Sequence, residues 1–163
     1  MHATATSALP PDLPLTRVTG SAHAWPLHDT VATRAHEARL LALTQPHALM
    51  ARAGRGAARL LLAVQPHVRR VAVLAGPGNN GGDGLVAAWH LQRLGLHVRV
   101  LHLADPARLP ADAAHACAQA HAAGLRFVSQ PEDLASADVV IDALLGLGST
   151  RAAEGAIATA VRW

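Results

Sequence analysis

Lysine and tyrosine are both absent from this sequence, and all fourteen basic residues are arginine. Without lysine there is no P-loop, whose lysine reaches the phosphates, and no Schiff base on a lysine amine. Without tyrosine, a Tyr/Lys proton relay of the kind some dehydrogenases use is excluded as well. Aromatic residues make up only 2% of the chain, one Phe and three Trp, so there is little flat surface on which bases could stack. A single cysteine, Cys117, leaves no disulfide framework and no Cys-rich zinc site. No apolar run approaches the ~18 residues of a membrane span. The opening MHATATSALPPDLP has neither a basic n-region nor an apolar h-region, so no secretory signal is read. Charge of one sign is not in excess either: the net charge is +3, and only Arg69 and Arg70 are adjacent among scattered arginines. These absences predict a cytoplasmic protein with neither nucleic acid nor membrane as a partner.

What is present points to one globular domain: 163 residues, 51% hydrophobic and 15% charged. Residues 1–29 carry Pro, Ser and Thr without sustained period and read as a flexible N-terminal arm, with Trp25 as an anchor. Residues 30–163 read as the domain proper. Thr30 is placed as the N-cap of a helix running through VATRAHEARLLAL. A second helix begins near Pro46, with Leu49, Met50, Ala53, Ala57, Leu60, Leu61 and Val64 as its core stripe. Val71–Ala75 is a short unbroken apolar run, followed by a loop over 76–84 and a helix over Leu85–Leu94 with Ala87, Ala88, Leu91 and Leu94 on one face; Gly95 is placed to end it. Further strands are predicted at Val98–Leu103, Leu125–Ser129 and Ala137–Asp142. An alanine-rich helix is expected from Pro110 to Ala123, stopped by Gly124, and a last helix from Glu154 to Trp163. Apolar strands alternating with helices indicate a three-layer αβα, Rossmann-like, doubly wound and mostly parallel sheet. Its C-terminal part reads as truncated, because the strand that the last helix would feed is not reached. Ligands of such folds bind beyond the carboxyl ends of the strands, which here are followed by loops 76–84 and 142–155.

The first of those loops is chemically unusual. Gly76, Gly78 and Gly81 satisfy G-x-G-x-x-G between a strand and a helix, where backbone N–H groups can face negative charge. Asp105, near the end of the second strand, is a tolerable acid for a dinucleotide fingerprint. Yet Asn79 and Asn80, the only asparagines in the chain, stand side by side there, with Asp83 after them. Amide oxygens and a carboxylate suit a hard cation or sugar hydroxyls; Asp83 could equally cap the following helix. Asp142 ends an apolar strand and precedes a second glycine-bearing stretch, Leu144–Arg151. A carboxylate there needs a partner, a cation or a turn to cap.

GPGNNGGDG at Gly76–Gly84, DALLGLG at Asp142–Gly148 with Glu154-Gly155 after it, and LMARAG at Leu49–Gly54 together resemble the NAD(P)H-hydrate epimerase family, the YjeF N-terminal domain. The resemblance spans about residues 30–163, and N-N-G-G-D-G is its most specific part. It implies a repair isomerase that interconverts the S and R epimers of hydrated NADH and NADPH, which carry a hydroxyl on carbon 6 of the reduced nicotinamide ring. It further implies one potassium ion per subunit, held by Asn80 and Asp142. The hydrated cofactor would be lined by Asn79, Asn80, Gly81, Gly82 and Asp83, and by Gly146, Leu147, Gly148, Ser149, Thr150, Arg151 and Ala152. Asp83 and Asp142 are the candidates for general acid/base. An ADP- or ATP-dependent dehydratase that accepts one epimer, fused in a longer bifunctional protein, is the implied partner, and a homodimer is a further expectation. Leu147 departs from the threonine common in the family, and the family's Asp-x-Pro-Ser-Gly segment is not reached before Trp163.

Two other readings stay open at this point: an NAD(P)-dependent oxidoreductase built on the G-x-G-x-x-G loop, and a non-catalytic binding or dimerisation module. The eleven histidines form neither H-x-H nor H-E-x-x-H and read as helix-surface residues. Cys117 reads as a small buried hydrophobe. Ser149 lacks the G-x-S-x-G context of a nucleophile.

Overall fold

The computed structural model describes residues 28–150 and 152–163. Most of the expected arm 1–29, its anchor Trp25, and Arg151 lie outside the described residues. Four strands form one sheet: β1 (Arg70–Ala75), β2 (His97–His102), β3 (Arg126–Val128) and β4 (Val139–Ala143), in the order β3-β2-β1-β4, every pairing parallel. The order turns back at β1, so the topological switch point lies between β1 and β4. The four strands fall within two residues of those read from the apolar runs.

The helices are α1 (Thr30–Leu41), α2 (Ala48–Val64), α3 (Asn79–Arg93), α4 (Ala111–Ala122) and α5 (Gly155–Arg162). Helix α3 packs on the sheet between α2 and α4, and the larger core lies there, joining Val71, Val73, Val98 and Val100 to Leu85, Leu91, Ala116 and Cys117. Cys117 is buried, as expected. The opposite face carries a smaller cluster of Ala72, Leu74, Leu101, Leu134, Leu144 and Ala160, to which α5 contributes. Gly95 and Gly124 end α3 and α4 at φ +87° and +68°, the left-handed conformation glycine adopts without steric penalty.

Several expectations need correcting. The N-cap of α1 is Asp29, whose carboxylate accepts from the Ala32 N–H at 2.8 Å; Thr30 is the first helical residue. The inner stripe of α2 is Met50, Gly54, Ala58 and Leu61, while Leu60 and Val64 are 65% and 62% exposed and Ala53 and Ala57 face outward too. Gly54 explains the roll. A Cβ there would meet Val86 Cβ at 2.5 Å, so α2 turns its small residues toward α3 and comes close enough to pack. Leu94 is exposed for a simpler reason: α3 has already ended at Arg93. Most consequential, the loop after β1 is only three residues long. Helix α3 begins at Asn79, with Gly78 as N-cap, so Asn79, Asn80, Gly81, Gly82, Asp83 and Gly84 belong to its opening turns.

Strand β4 is an edge strand among the described residues, with alternating rather than continuous burial and Val140 45% exposed. Asp142 therefore sits at the end of an exposed strand face, not a buried one, and the solvation penalty argued for it from sequence does not arise.

Candidate functional site

The turn from β1 into α3 owes its shape to close approach. Gly76 N–H donates to the Ala143 carbonyl at 3.0 Å, and a Cβ on Gly76 would lie 1.8 Å from the Leu144 carbonyl oxygen. A Cβ on Gly81 would lie 2.0 Å from the Gly76 carbonyl oxygen. These glycines let the first turn of α3 lie directly on the segment that leaves β4. Asn80 fastens the two: its Nδ2 donates to the Leu145 carbonyl at 3.1 Å, and Gly146 passes close to its Cβ. The two motifs singled out from the sequence thus meet at the switch point.

Above this junction lies a cleft of about 830 Å³. Asn79, Asn80 and Asp83 line it from α3, and Gly146, Leu147, Gly148, Ser149, Thr150 and Ala152 line it from the other side. Two of the predicted residues lie behind this wall. Gly81 and Gly82 are buried, Gly82 against Met50, and contribute backbone rather than surface to the site. Asp142 is also outside the lining; its Oδ1 accepts from the Leu144 N–H at 3.0 Å and caps the turn that follows β4. Asp105 is committed elsewhere, accepting from the Ala107 N–H at 3.0 Å to cap the 3₁₀ turn Pro106–Arg108, and does not line the cleft.

Asp83 is the chemically distinctive group. Half-buried in the fifth position of α3, it is pushed up to about 6 from an ordinary 3.8, first by burial and then by the nearby charges of Glu37 and Asp112. A carboxyl in that range can both hold and release a proton near neutrality.

Two features escaped the sequence. Helix α1 supplies Thr33, Arg34 and Glu37 to the cleft, with Arg34 Nη2 near Gly148. The signal was the lack of any apolar stripe in α1, which has no buried residue: a helix without a core face has a polar surface to pack on. The other is His47, the N-cap of α2, held in left-handed backbone at φ +63°. Its Nδ1 meets Asp112 Oδ1 at 2.6 Å, and its ring stacks on His115 at 3.9 Å.

The donor set fits an alkali cation better than a transition metal. Asn80 commits its amide nitrogen to Leu145 and Asp142 one carboxylate oxygen to Leu144, which leaves Asn80 Oδ1 and Asp142 Oδ2 as hard oxygen donors at one junction. Among the described residues no three His, Cys, Asp or Glu side chains come together. No helix of the described residues is long and apolar enough to cross a membrane.

Residues 46–163 match the family model described as YjeF-related protein N-terminus. The chain is 49% identical over 109 residues to the NAD(P)H-hydrate epimerase of Bordetella pertussis, covering 67% of this chain and 47% of that protein. It is 41% identical over 118 residues to the protein of the same name from Rhodopirellula baltica, covering 69% and 48%. It is 44% identical over 107 residues to the bifunctional NAD(P)H-hydrate repair enzyme Nnr of Hyperthermus butylicus, covering 61% of this chain and 20% of that one. The chain thus spans about half the length of the curated epimerases it matches. The crystal structure of yeast ynu0 superposes with a TM-score of 0.71 at 21% identity, over 85% of this chain and 64% of that one, which establishes the shared fold.

Proposed function

This chain belongs to the YjeF-related protein N-terminus family, and on that premise we propose that it epimerises hydrated NADH and NADPH at carbon 6 of the reduced nicotinamide ring. The observation that carries the reading is Asp83. It is a half-buried carboxyl raised to about 6, facing a cleft built by the family's two motifs.

The chemistry needs one proton moved twice. Protonated Asp83 donates to the departing hydroxyl, which leaves as water; the ring nitrogen's lone pair forms the C=N bond of an iminium. Water then adds to either face, and the Asp83 carboxylate takes its proton. Atoms and charge balance, and no redox partner is consumed. The first-turn N–H groups of α3, whose N-cap Gly78 offers no side chain, suit the phosphates of the cofactor. Arg34 supplies positive charge on the opposite wall. Asn80 and Asp142 would hold a potassium ion, which would supply a fixed positive charge beside the bound anion. In this reading Asp142 positions and caps, and Asp83 transfers the proton.

Gly81 and Gly82 serve the site by letting α3 approach, while Asn79 and the stretch Gly146–Ala152 contact substrate. The domain assignment, an arm over 1–29 and an epimerase domain over 30–163, belongs to the same proposal, although the family match itself begins at residue 46. So do cytoplasmic residence, a homodimer, and a fused ADP- or ATP-dependent dehydratase as the partner that consumes one epimer. The last has support in the bifunctional name of the Hyperthermus butylicus relative. Asp105, spent on its own turn, weighs against the dinucleotide-dehydrogenase alternative.

The test is conversion of R-hydrate of NADPH, followed through an S-specific dehydratase, in potassium and in sodium buffers. Conversion that depends on the protein and is faster in potassium supports the proposal. Tight binding of intact NADPH with no conversion of the hydrate overturns it.

A further inference from the structure

At the other end of the strands, away from the cleft, lies a second hollow of about 310 Å³. Its wall carries three arginines, Arg70, Arg99 and Arg126, with His97, Gln92 and Ser136. The sheet aligns them. Arg99 on β2 is the register partner of Arg126 on β3, and Arg70 on β1 is the partner of His97 on β2. Register partners in a parallel sheet project to the same face from strands about 4.8 Å apart. Arg70 and Ala72 share a face by alternation, and Ala72 is the partner of Arg99, so all three guanidinium stems leave one side of the sheet.

Like charges set directly opposite one another destabilise a sheet, so the counter-charges matter. Arg70 is neutralised: Asp138 Oδ1 accepts from its Nε at 3.1 Å and its Nη2 at 2.5 Å. Arg99 is not. Its Nη1 donates to the backbone carbonyl of Asp133, a neutral acceptor, and its other donors have no partner among the described residues. Arg126 has no ion pair or hydrogen-bond partner for its side chain among the described residues. Among the described residues no Asp or Glu belongs to the wall. Glu132 and Asp133 stand on the neighbouring turn Pro131–Leu134, but the described ion pairs are His47–Asp112 and Arg70–Asp138 alone. The hollow therefore holds two uncompensated guanidinium groups, side by side and concave.

We propose that this hollow binds a phosphate group, free or carried on a small metabolite, between Arg99 and Arg126. Two forks of N–H donors match a tetrahedral dianion in charge and in geometry. The volume stands at the lower end of small-molecule sites, which suits a phosphate or small phosphoester and not a dinucleotide. Ser136 adds a neutral donor on the wall. The site is at the amino ends of the strands, so it fills independently of the cleft and does not rest on the epimerase reading.

The test is an NMR titration of the ¹⁵N-labelled protein with inorganic phosphate, at constant ionic strength made up with chloride. Saturable shifts at the Arg99 and Arg126 side-chain Nε and the Ser136 amide are expected, with Arg126→Gln and Arg99→Gln each weakening Kd at least tenfold. Arg126 is exposed on a sheet edge, so Arg126→Gln keeps the fold, which its unchanged amide spectrum elsewhere verifies. Glycerol phosphate run alongside separates the sources: tighter binding than phosphate supports a metabolite-borne group, weaker binding supports free phosphate. Shifts confined to the Gly78–Asn80 turn, a response equal to that of chloride, or undiminished binding in Arg126→Gln would each overturn the proposal.

Discussion

Replacing Asp83 by Asn removes a titration that the fold opposes, and the consequence for stability can be worked through. Asp83 titrates at about 6 in the folded protein against 3.8 ordinarily. The proton is therefore bound more tightly in the folded state than in the unfolded one. Below about pH 4 both states carry it, and the group contributes nothing to the balance. Between about pH 4 and 6 the folded state keeps a proton that the unfolded chain has released, so stability falls as pH rises across that window. Above it both states are ionised and the penalty is constant. The full difference would be worth about 3 kcal/mol, but Asp83 is only half-buried and water screens part of it, leaving about 1 kcal/mol. Asp83→Asn, nearly isosteric with the protonated acid, should match the parent protein at pH 4 and exceed it by about 1 kcal/mol at pH 8. That corresponds to ~2–4 °C in Tm for a chain of this length. Urea unfolding of both proteins at pH 4, 6 and 8 measures it, with histidine titrations cancelling in the difference. A variant less stable than the parent at pH 8, or a gap unchanged from pH 4 to 8, refutes the reasoning.

Substitutions at four other positions separate roles. Gly81→Ala forces a Cβ to within 2.0 Å of the Gly76 carbonyl oxygen and should cost about 3 kcal/mol or more. Gly78→Ala, with open space around it, should change stability by less than about 0.5 kcal/mol; equal effects in thermal unfolding would contradict the packing account. His47→Ala loses the Asp112 bond while keeping left-handed backbone, whereas His47→Gly loses the bond and relaxes the backbone, so Gly should be the more stable of the two by about 1 kcal/mol in urea titrations. Asp138 is held down to about 2 by its hydrogen bonds with Arg70, first to the guanidinium and then to the backbone N–H. Its folded value is depressed, so its contribution is present above about pH 4 and is lost as pH falls toward 2. Asp138→Asn should flatten the acid limb of the stability curve in that window, read by circular dichroism at pH 2 to 4.

Much of the fold was legible because the strands are uninterrupted apolar runs and the helices end at glycines that adopt positive φ, Gly95 and Gly124. The face of α2 was legible only in part: Met50 and Leu61 are buried as expected, the rest of the stripe is not. Periodicity counted Leu60 and Val64 as core, but the helix packs through Gly54, whose value lies in the side chain it lacks. The start of α3 was hidden by composition, since two asparagines and three glycines among the six residues Asn79–Gly84 read as loop. Only contact with Gly76 and Met50 reveals them as the opening turns of a helix. At the site, Asn79, Asn80 and Asp83 were readable as a local motif, and their meeting with Gly146–Ser149 followed from the switch-point rule. The lack of an apolar stripe in α1 was a local signal, but which of its residues reach the cleft, Arg34 and Glu37, and the His47–Asp112 pair depend on tertiary placement.

The central claim is that Asp83 carries the proton for epimerisation, and the most direct measurement is the rate of R-to-S conversion of NADPH hydrate by the parent protein and by Asp83→Asn from pH 5 to 8. The account predicts an inflection near pH 6 in the parent and a loss of about 10²-fold or more in the variant, with hydrate binding retained. A variant that converts the hydrate as fast as the parent, with the same pH profile, would contradict it.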